Sequence, residues 1–252
     1  MRIAKLVLLT LLGRSLSAQQ PLWTATLTSG LEAFTGDGSL PSSWLWEDAR
    51  VEHKHGRTSL AAEGVVSRRY DQWDQAAIGD VYAGTTATGY FNVRALFTPS
   101  AKVLPSSDLS GELFQGFSNG WEGSVAARRM SYSTGGTTIV SGGIARSFGN
   151  EYVRARYVGL VGQGTSAGSA VITARHFGTS ADDFVEGGLA TGHEVVNIGP
   201  NQTYDIRPST SGYVRAQYFL TPHIGVGGLG SLANQRGIPN RLGAYLNTMV
   251  RW

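Results

Sequence analysis

The residues able to do chemistry in this chain are few, and their settings argue against most of what their spacing suggests. Of 252 residues, five are histidine and none is cysteine, so disulfides, thiol nucleophiles and Cys-ligated zinc are excluded. Gly116-Phe117-Ser118-Asn119-Gly120 has the G-x-S-x-G spacing of a serine hydrolase, but that motif needs a strand–turn–helix to expose its serine. Here Asn119-Gly120 separates two alternating segments, which is a hairpin signal. Gly225-Val226-Gly227-Gly228-Leu229-Gly230 fits a dinucleotide spacing with no helix or βαβ unit after it. His53-Lys54-His55 beside Glu52 offers two imidazoles to a metal without a fourth ligand nearby. His193-Glu194 lacks the second histidine of a zinc-protease helix. His176 follows Arg175, and if Arg175 points inward, His176 points outward. These residues assign no catalytic group, metal or cofactor. A hydrolase built on His176 or His193 is the least supported reading.

Charge placement is more informative. Tyr90, Asn92 and Arg94 alternate with Phe91, Val93, Ala95 and Phe97; Tyr152, Arg154 and Arg156 alternate with Val153, Ala155 and Tyr157. Tyr213, Arg215 and Gln217 alternate with Val214, Ala216, Tyr218 and Leu220. A period of two is that of a strand with one wet and one oily face. Charge on a lipid-facing position near the bilayer midplane costs about 2–4 kcal/mol, so the polar set is expected to line an interior. By this parity Asp80, Arg94, Glu112, Glu122, Arg128, Arg154, Arg156, Arg175, Glu186 and Arg215 face inward. Opposite charges on neighbouring strands can pair. The set reads either as a plug that closes the lumen or as the arginine-rich lining of a passage for anionic or sugar-like solutes.

The elements that must hold these residues are strands. Alternation marks fourteen segments, near 22–35, 43–54, 58–69, 73–84, 88–97, 109–117, 121–132, 137–147, 151–161, 167–177, 182–193, 209–220, 223–233 and 239–252. Nearly all reach the roughly 9–11 residues of a tilted membrane-spanning strand. Tight links follow even-numbered segments, whereas longer ones follow odd-numbered segments: Gly36 to Pro41, Pro99 to Ser107, Val161 to Ser166, and Glu194 to Pro208. Outer-membrane barrels have short periplasmic turns and longer external loops. The spacing therefore predicts an all-β, antiparallel up-and-down transmembrane barrel of about 14 strands, with both termini periplasmic and 12 strands as the alternative. The link at Tyr70 to Gln72 is short for an external one.

The final segment is the clearest. Leu242, Ala244, Leu246, Thr248, Val250 and Trp252 share one face; Gly243, Tyr245, Asn247, Met249 and Arg251 share the other. An exposed apolar strand at a free end invites aggregation in water, but it closes a barrel in lipid, where no strand edge can stay unpaired. A last strand ending in an aromatic also resembles the closing strand through which barrel-assembly machinery engages outer-membrane proteins. Trp23, Phe97, Trp121, Tyr157 and Trp252 are expected at the membrane interfaces, where amphipathic rings settle.

Composition agrees. Met1 to Ala18 reads as a secretory signal, with Arg2 and Lys5 before the apolar Leu6 to Leu12 and small residues at Ser15, Ser17 and Ala18. That leader carries Arg2, Lys5 and Arg14, so the remaining chain, 19–252, holds 18 basic and 18 acidic residues. Nucleic acid is thereby disfavoured as a partner. Charged residues are 15% of the chain and 34 residues are glycine, low and high respectively for a soluble domain.

Ordered short motifs then point to a family. They run Arg69-Tyr70-Asp71 with Asp74, Asp80-Val81-Tyr82, Thr98-Pro99, Trp121-Glu122, Arg128-Arg129 before Tyr132, and Gly149-Asn150 before Arg154. Arg175-His176-Phe177-Gly178-Thr179, Asp182-Asp183 and Gly192-His193-Glu194 complete the series. In this order and spacing, from roughly Trp23 to Trp252, the chain resembles the YaiO-type outer-membrane β-barrels. The resemblance implies fold and location, and leaves the role open. That role is expected to be a small pore or export conduit for polar or carbohydrate solutes, or a non-conducting scaffold that docks envelope polysaccharide machinery.

Overall fold

The computed structural model describes residues 22–35, 43–161, 167–199 and 203–252; the leader and parts of three links lie outside them. The strands are β1 (Leu22–Thr35), β2 (Trp44–His55), β3 (Thr58–Arg69), β4 (Gln72–Gly84), β5 (Gly89–Phe97), β6 (Ser107–Gly116) and β7 (Trp121–Tyr132). They continue with β8 (Gly135–Phe148), β9 (Glu151–Val161), β10 (Ala167–Phe177), β11 (Phe184–Gly199), β12 (Thr203–Phe219), β13 (Ile224–Gln235) and β14 (Ile238–Arg251). Each pairs antiparallel with its sequence neighbours, and β1 pairs with β14 from Thr24↔Arg251 to Thr35↔Asn240, closing the barrel. Closure leaves no unpaired edge, as a lipid surrounding demands. The count is fourteen, not twelve.

The barrel is apolar outside and polar inside. Leu27, Val125, Ile172, Leu189, Val214 and Leu246 are exposed on the outer face, while Asp80, Glu112, Arg175 and Glu186 are buried within. A sheet folded in water would do the reverse. Among the described residues no helix is long and apolar enough to cross a membrane; this chain crosses with strands.

Odd strands run from the end holding the start of β1 and the finish of β14, here the terminal end, to the distal end. Link length follows this polarity only in part. At the distal end Thr98–Ser106 is long, but Tyr70-Asp71, Ser133-Thr134 and Arg236-Gly237 are two-residue turns. Tyr70 and Asp71 both hold positive φ, 50° and 60°, a twist suited to a tight hairpin. That conformation explains how so short a link fits there. The segment Glu194 to Pro208, expected as a loop, instead extends β11 and β12 as a ribbon, with Glu194↔Arg207 and Val196↔Asp205 in register. Its Val195, Val196 and Ile206 suit paired backbone better than a loop.

Candidate functional site

The barrel interior is where sequence and structure concentrate polar groups. Three clusters line its wall. In the first, Arg50 on β2 reaches Asp80 on β4 at 3.2 Å and Glu52 on its own strand at 3.1 Å, with Glu63 of β3 at 3.7 Å. Asn92 donates to Asp80 at 2.6 Å, and Arg94 stands 4.0 Å from Glu63. In the second, Arg154 on β9 pairs with Glu112 on β6 and donates to Ser124 at 2.7 Å. Tyr152 and Tyr90 both donate to Glu122, at 3.2 and 3.4 Å. In the third, Glu186 on β11 accepts from Arg175 at 2.8 Å and from the Tyr213 hydroxyl at 2.7 Å, and pairs with Arg215 at 2.7 Å. Tyr213 reaches it by lying over Gly188, where a Cβ would stand 2.3 Å from the ring.

The ten charges named from parity therefore all turn inward, but not into one site. Arg128 stands apart at the distal rim, half in solvent, on Asp108. Arg156 lies inward on β9 and finds no ion-pair or hydrogen-bond partner among the described residues. Sequence reasoning missed Arg50, Glu52, Glu63, Glu32 and Asp108, although the same alternation along β1, β2, β3 and β6 would have found them. With these acids included, the arginine surplus largely disappears.

Both ends of the lumen carry groups that reach inward from the wall. At the distal end Thr98–Ser106 folds inward: the buried carboxylate of Asp74 accepts from the backbone N–H groups of Lys102, Val103 and Leu104 at 2.8, 2.8 and 2.7 Å. Leu104 then packs with Val65, Ala76 and Ile78 of the β3–β4 wall. A carboxylate receiving several backbone donors is a strong anchor. At the terminal end Tyr90, Phe114, Ala145, Tyr152, Phe177 and Phe184 form one buried cluster, with Tyr90 stacked on Phe114 at 4.3 Å. Beside it the turn between β10 and β11 reaches inward. Asp183 accepts from the Phe219 N–H at 2.8 Å, and Asp182 takes Arg251 of β14 at 2.8 Å.

On the outer face Trp23 stacks on His53 at 4.4 Å and lies 6.5 Å from Trp252, all at the terminal end. Trp121 begins β7 at that same end, and Phe97 finishes β5 at the distal end. Tyr157 sits mid-strand in β9, its ring leaning over Gly168. His176 is outward and exposed, 2.6 Å from Glu151. The G-x-S-x-G segment is the turn between β6 and β7, with Asn119 at φ 58°.

This inverted barrel has a counterpart in sequence: a profile of the YaiO membrane beta barrel domain matches residues 24–195. The chain belongs to that family. No curated protein sequence matches it. Among solved structures, OprD of Pseudomonas aeruginosa is similar to this YaiO barrel over 92% of the chain and 95% of its own, at 6% identity and TM-score 0.51. OmpT lacking loop L8, an outer membrane protein of Vibrio cholerae, is similar over 93% and 100%, at 9% identity and TM-score 0.48. OpdQ of Pseudomonas aeruginosa covers 92% and 97%, at 7% identity and TM-score 0.48. Family and fold together make this YaiO protein an outer-membrane β-barrel surrounded by lipid.

Proposed function

We propose that this protein is a conduit for small polar solutes that is closed at rest, with its terminal end in the periplasm and residues 1–18 removed on export. The observation that carries this reading is the burial of the lumen's own charges. Glu63, Asp80, Glu112, Arg175 and Glu186 are between 2% and 5% exposed, whereas charges lining a water-filled pore would be bathed in solvent. Arg94, Arg154, Arg175 and Arg215 then act as a scaffold of ion pairs around the passage more than as a continuous selectivity lining, with Arg156 outside that scaffold. Breaking such pairs singly is costly, so the wall is rigid and movement falls to the inserted loop and the aromatic floor.

Planar-bilayer recording of the refolded protein tests this. The native chain is expected to be silent or to open only briefly, and trimming the floor with Tyr152→Ala and Phe184→Ala is expected to give steady conductance. Steady native conductance at low voltage overturns the closed reading.

The β11–β12 ribbon supports a second reading, a docking scaffold. At 16 and 17 residues these are the longest strands, exceeding a spanning strand by about six residues, or roughly 20 Å of extended chain. Crosslinking from Asp205 or Arg207 in intact cells tests it, and a specific envelope partner is the expected product.

A further inference from the structure

We propose that the distal half of the lumen holds a binding site for a small anionic, hydroxyl-rich solute, centred on Arg156. This rests on the lumen being closed below it, at the terminal end.

Strand register builds the site. Gly143, Arg156, Val171, Ala190, Ser211 and Ala233 lie side by side on β8 to β13 as one inward-facing row. The row one step nearer the distal end adds Ser141, Ser169 and Ser209. Five strands thus present small or medium side chains beside Arg156, the row covering five spacings, about 24 Å of wall at roughly 4.8 Å per strand. On the β3–β4 side the inserted loop packs Leu104 against Val65, Ala76 and Ile78. Along the row Gly143, Arg156, Val171, Ala190 and Ser211 are only partly buried, unlike Glu63 and Asp80 of the first cluster, while Ala233 at its end is buried. The result is a vestibule with one charged side chain in its middle row.

Among the described residues no acid stands in ion-pair contact with that charge, and Glu112, the acid that acts on it from a distance, is paired with Arg154. One step toward the terminal end, Arg154 is taken up by Glu112 and Ser124, and still lower Glu186 is shared by Arg175 and Arg215. Of the acids at this depth and below, Glu112 and Glu186 are thus engaged with other cations, and Glu122 accepts from the Tyr152 and Tyr90 hydroxyls. A partly dehydrated guanidinium without an acid is a standing cost to the fold, and its forked donors match a carboxylate or phosphate bidentately. Around it the wall is rich in hydroxyls. Ser169 already donates to the His193 carbonyl and Ser209 to Glu194, so both keep acceptor capacity for a solute's own O–H groups. Ser141 and Ser211 have no side-chain partner among the described residues and can donate as well as accept. A cation at the centre with donors and acceptors around it suits a sugar acid or sugar phosphate better than a neutral apolar compound.

Calorimetric titration of the detergent-folded barrel tests the site, with galacturonate, galactose and inorganic phosphate as probes. Galacturonate or phosphate is expected to bind at least tenfold more tightly than galactose, and Arg156→Gln to remove that preference while Arg156→Lys keeps part of it. Galacturonate alone assigns the anion to a carboxylate, phosphate alone to a phosphoryl group; either supports the site. Ala190→Phe, which fills the vestibule and leaves the cation in place, is expected to weaken galacturonate at least tenfold. Heat-modifiable migration on a gel verifies that each variant is folded. Anion binding that is equal in folded Arg156→Gln and native protein overturns the site, as does no binding by the native protein. Bilayer conductance reads the closed-lumen proposal separately: a silent barrel that binds no anion sinks only the site. A steadily conducting one with Arg156-dependent binding sinks only the closed lumen.

Discussion

Tyr245 lies flat across Gly30, its paired residue on the neighbouring strand, with the ring 2.0 Å from where a Cβ of Gly30 would stand. From there its hydroxyl donates to Glu32, which also faces Arg241 at 3.5 Å. Tyr213 lies over Gly188 and reaches Glu186 in the same way. In each pair a missing side chain makes room for a ring, and the ring delivers a hydrogen bond to a glutamate two residues along. The β1–β14 pair sits on the seam that closes the barrel, so it locks register where chain connectivity cannot.

Gly30→Ala is therefore expected to destabilise the barrel by about 1–3 kcal/mol, the usual range for overpacking. Tyr245→Phe should cost about 1 kcal/mol, a typical hydrogen bond. Because the two residues touch, Gly30→Ala combined with Tyr245→Ala should cost less than the sum of the single changes. Urea unfolding in detergent, followed by tryptophan fluorescence, checks the cycle; strict additivity would show that the ring does not depend on the glycine.

Glu186 holds two arginines in a buried setting. Replacing it by Gln leaves both guanidiniums without their acid and is expected to cost about 3–5 kcal/mol. Arg128→Gln, at a rim position whose side chain is 46% exposed, should cost no more than about 1 kcal/mol. Comparing the two urea midpoints decides the matter, since similar values would mean that the third cluster is well hydrated.

Asp74→Ala removes the acceptor for three backbone N–H groups. Hydrogen exchange at Lys102, Val103 and Leu104 is expected to accelerate by at least tenfold relative to the strand amides of β4, and brief conductance events should lengthen. Unchanged exchange at these three amides would mean that Leu104 packing alone holds the loop.

Leu246 is 74% exposed on the outer face. In a water-soluble protein Leu246→Arg would be nearly neutral, but in lipid it should cost about 2–4 kcal/mol near the midplane. Folding into lipid vesicles, compared with Leu246→Ala, measures the difference directly.

Sequence alone determined the barrel class, the inward parity of the charges and its inverted polarity, whereas closure of β1 on β14 decided between fourteen strands and twelve. All three follow from a local period of two, which a strand imposes on its own residues. The pattern over Tyr152 to Tyr157 is legible without knowing any neighbour. It could not show which charges pair, because Arg154 and Glu112 belong to strands three apart, 42 residues from each other in the chain. Nor could it show that Asp74 would hold Thr98–Ser106 inside, since that anchor joins a strand face to a link with no period of its own. Glu194 to Pro208 misled for a related reason: adjacent Val195 and Val196 break the period of two, so the pairing of this ribbon is hidden in the sequence. Arg156 carries the same lesson. Local alternation aimed it inward, but only the register of six strands placed it among small residues, with Glu112 taken up by Arg154.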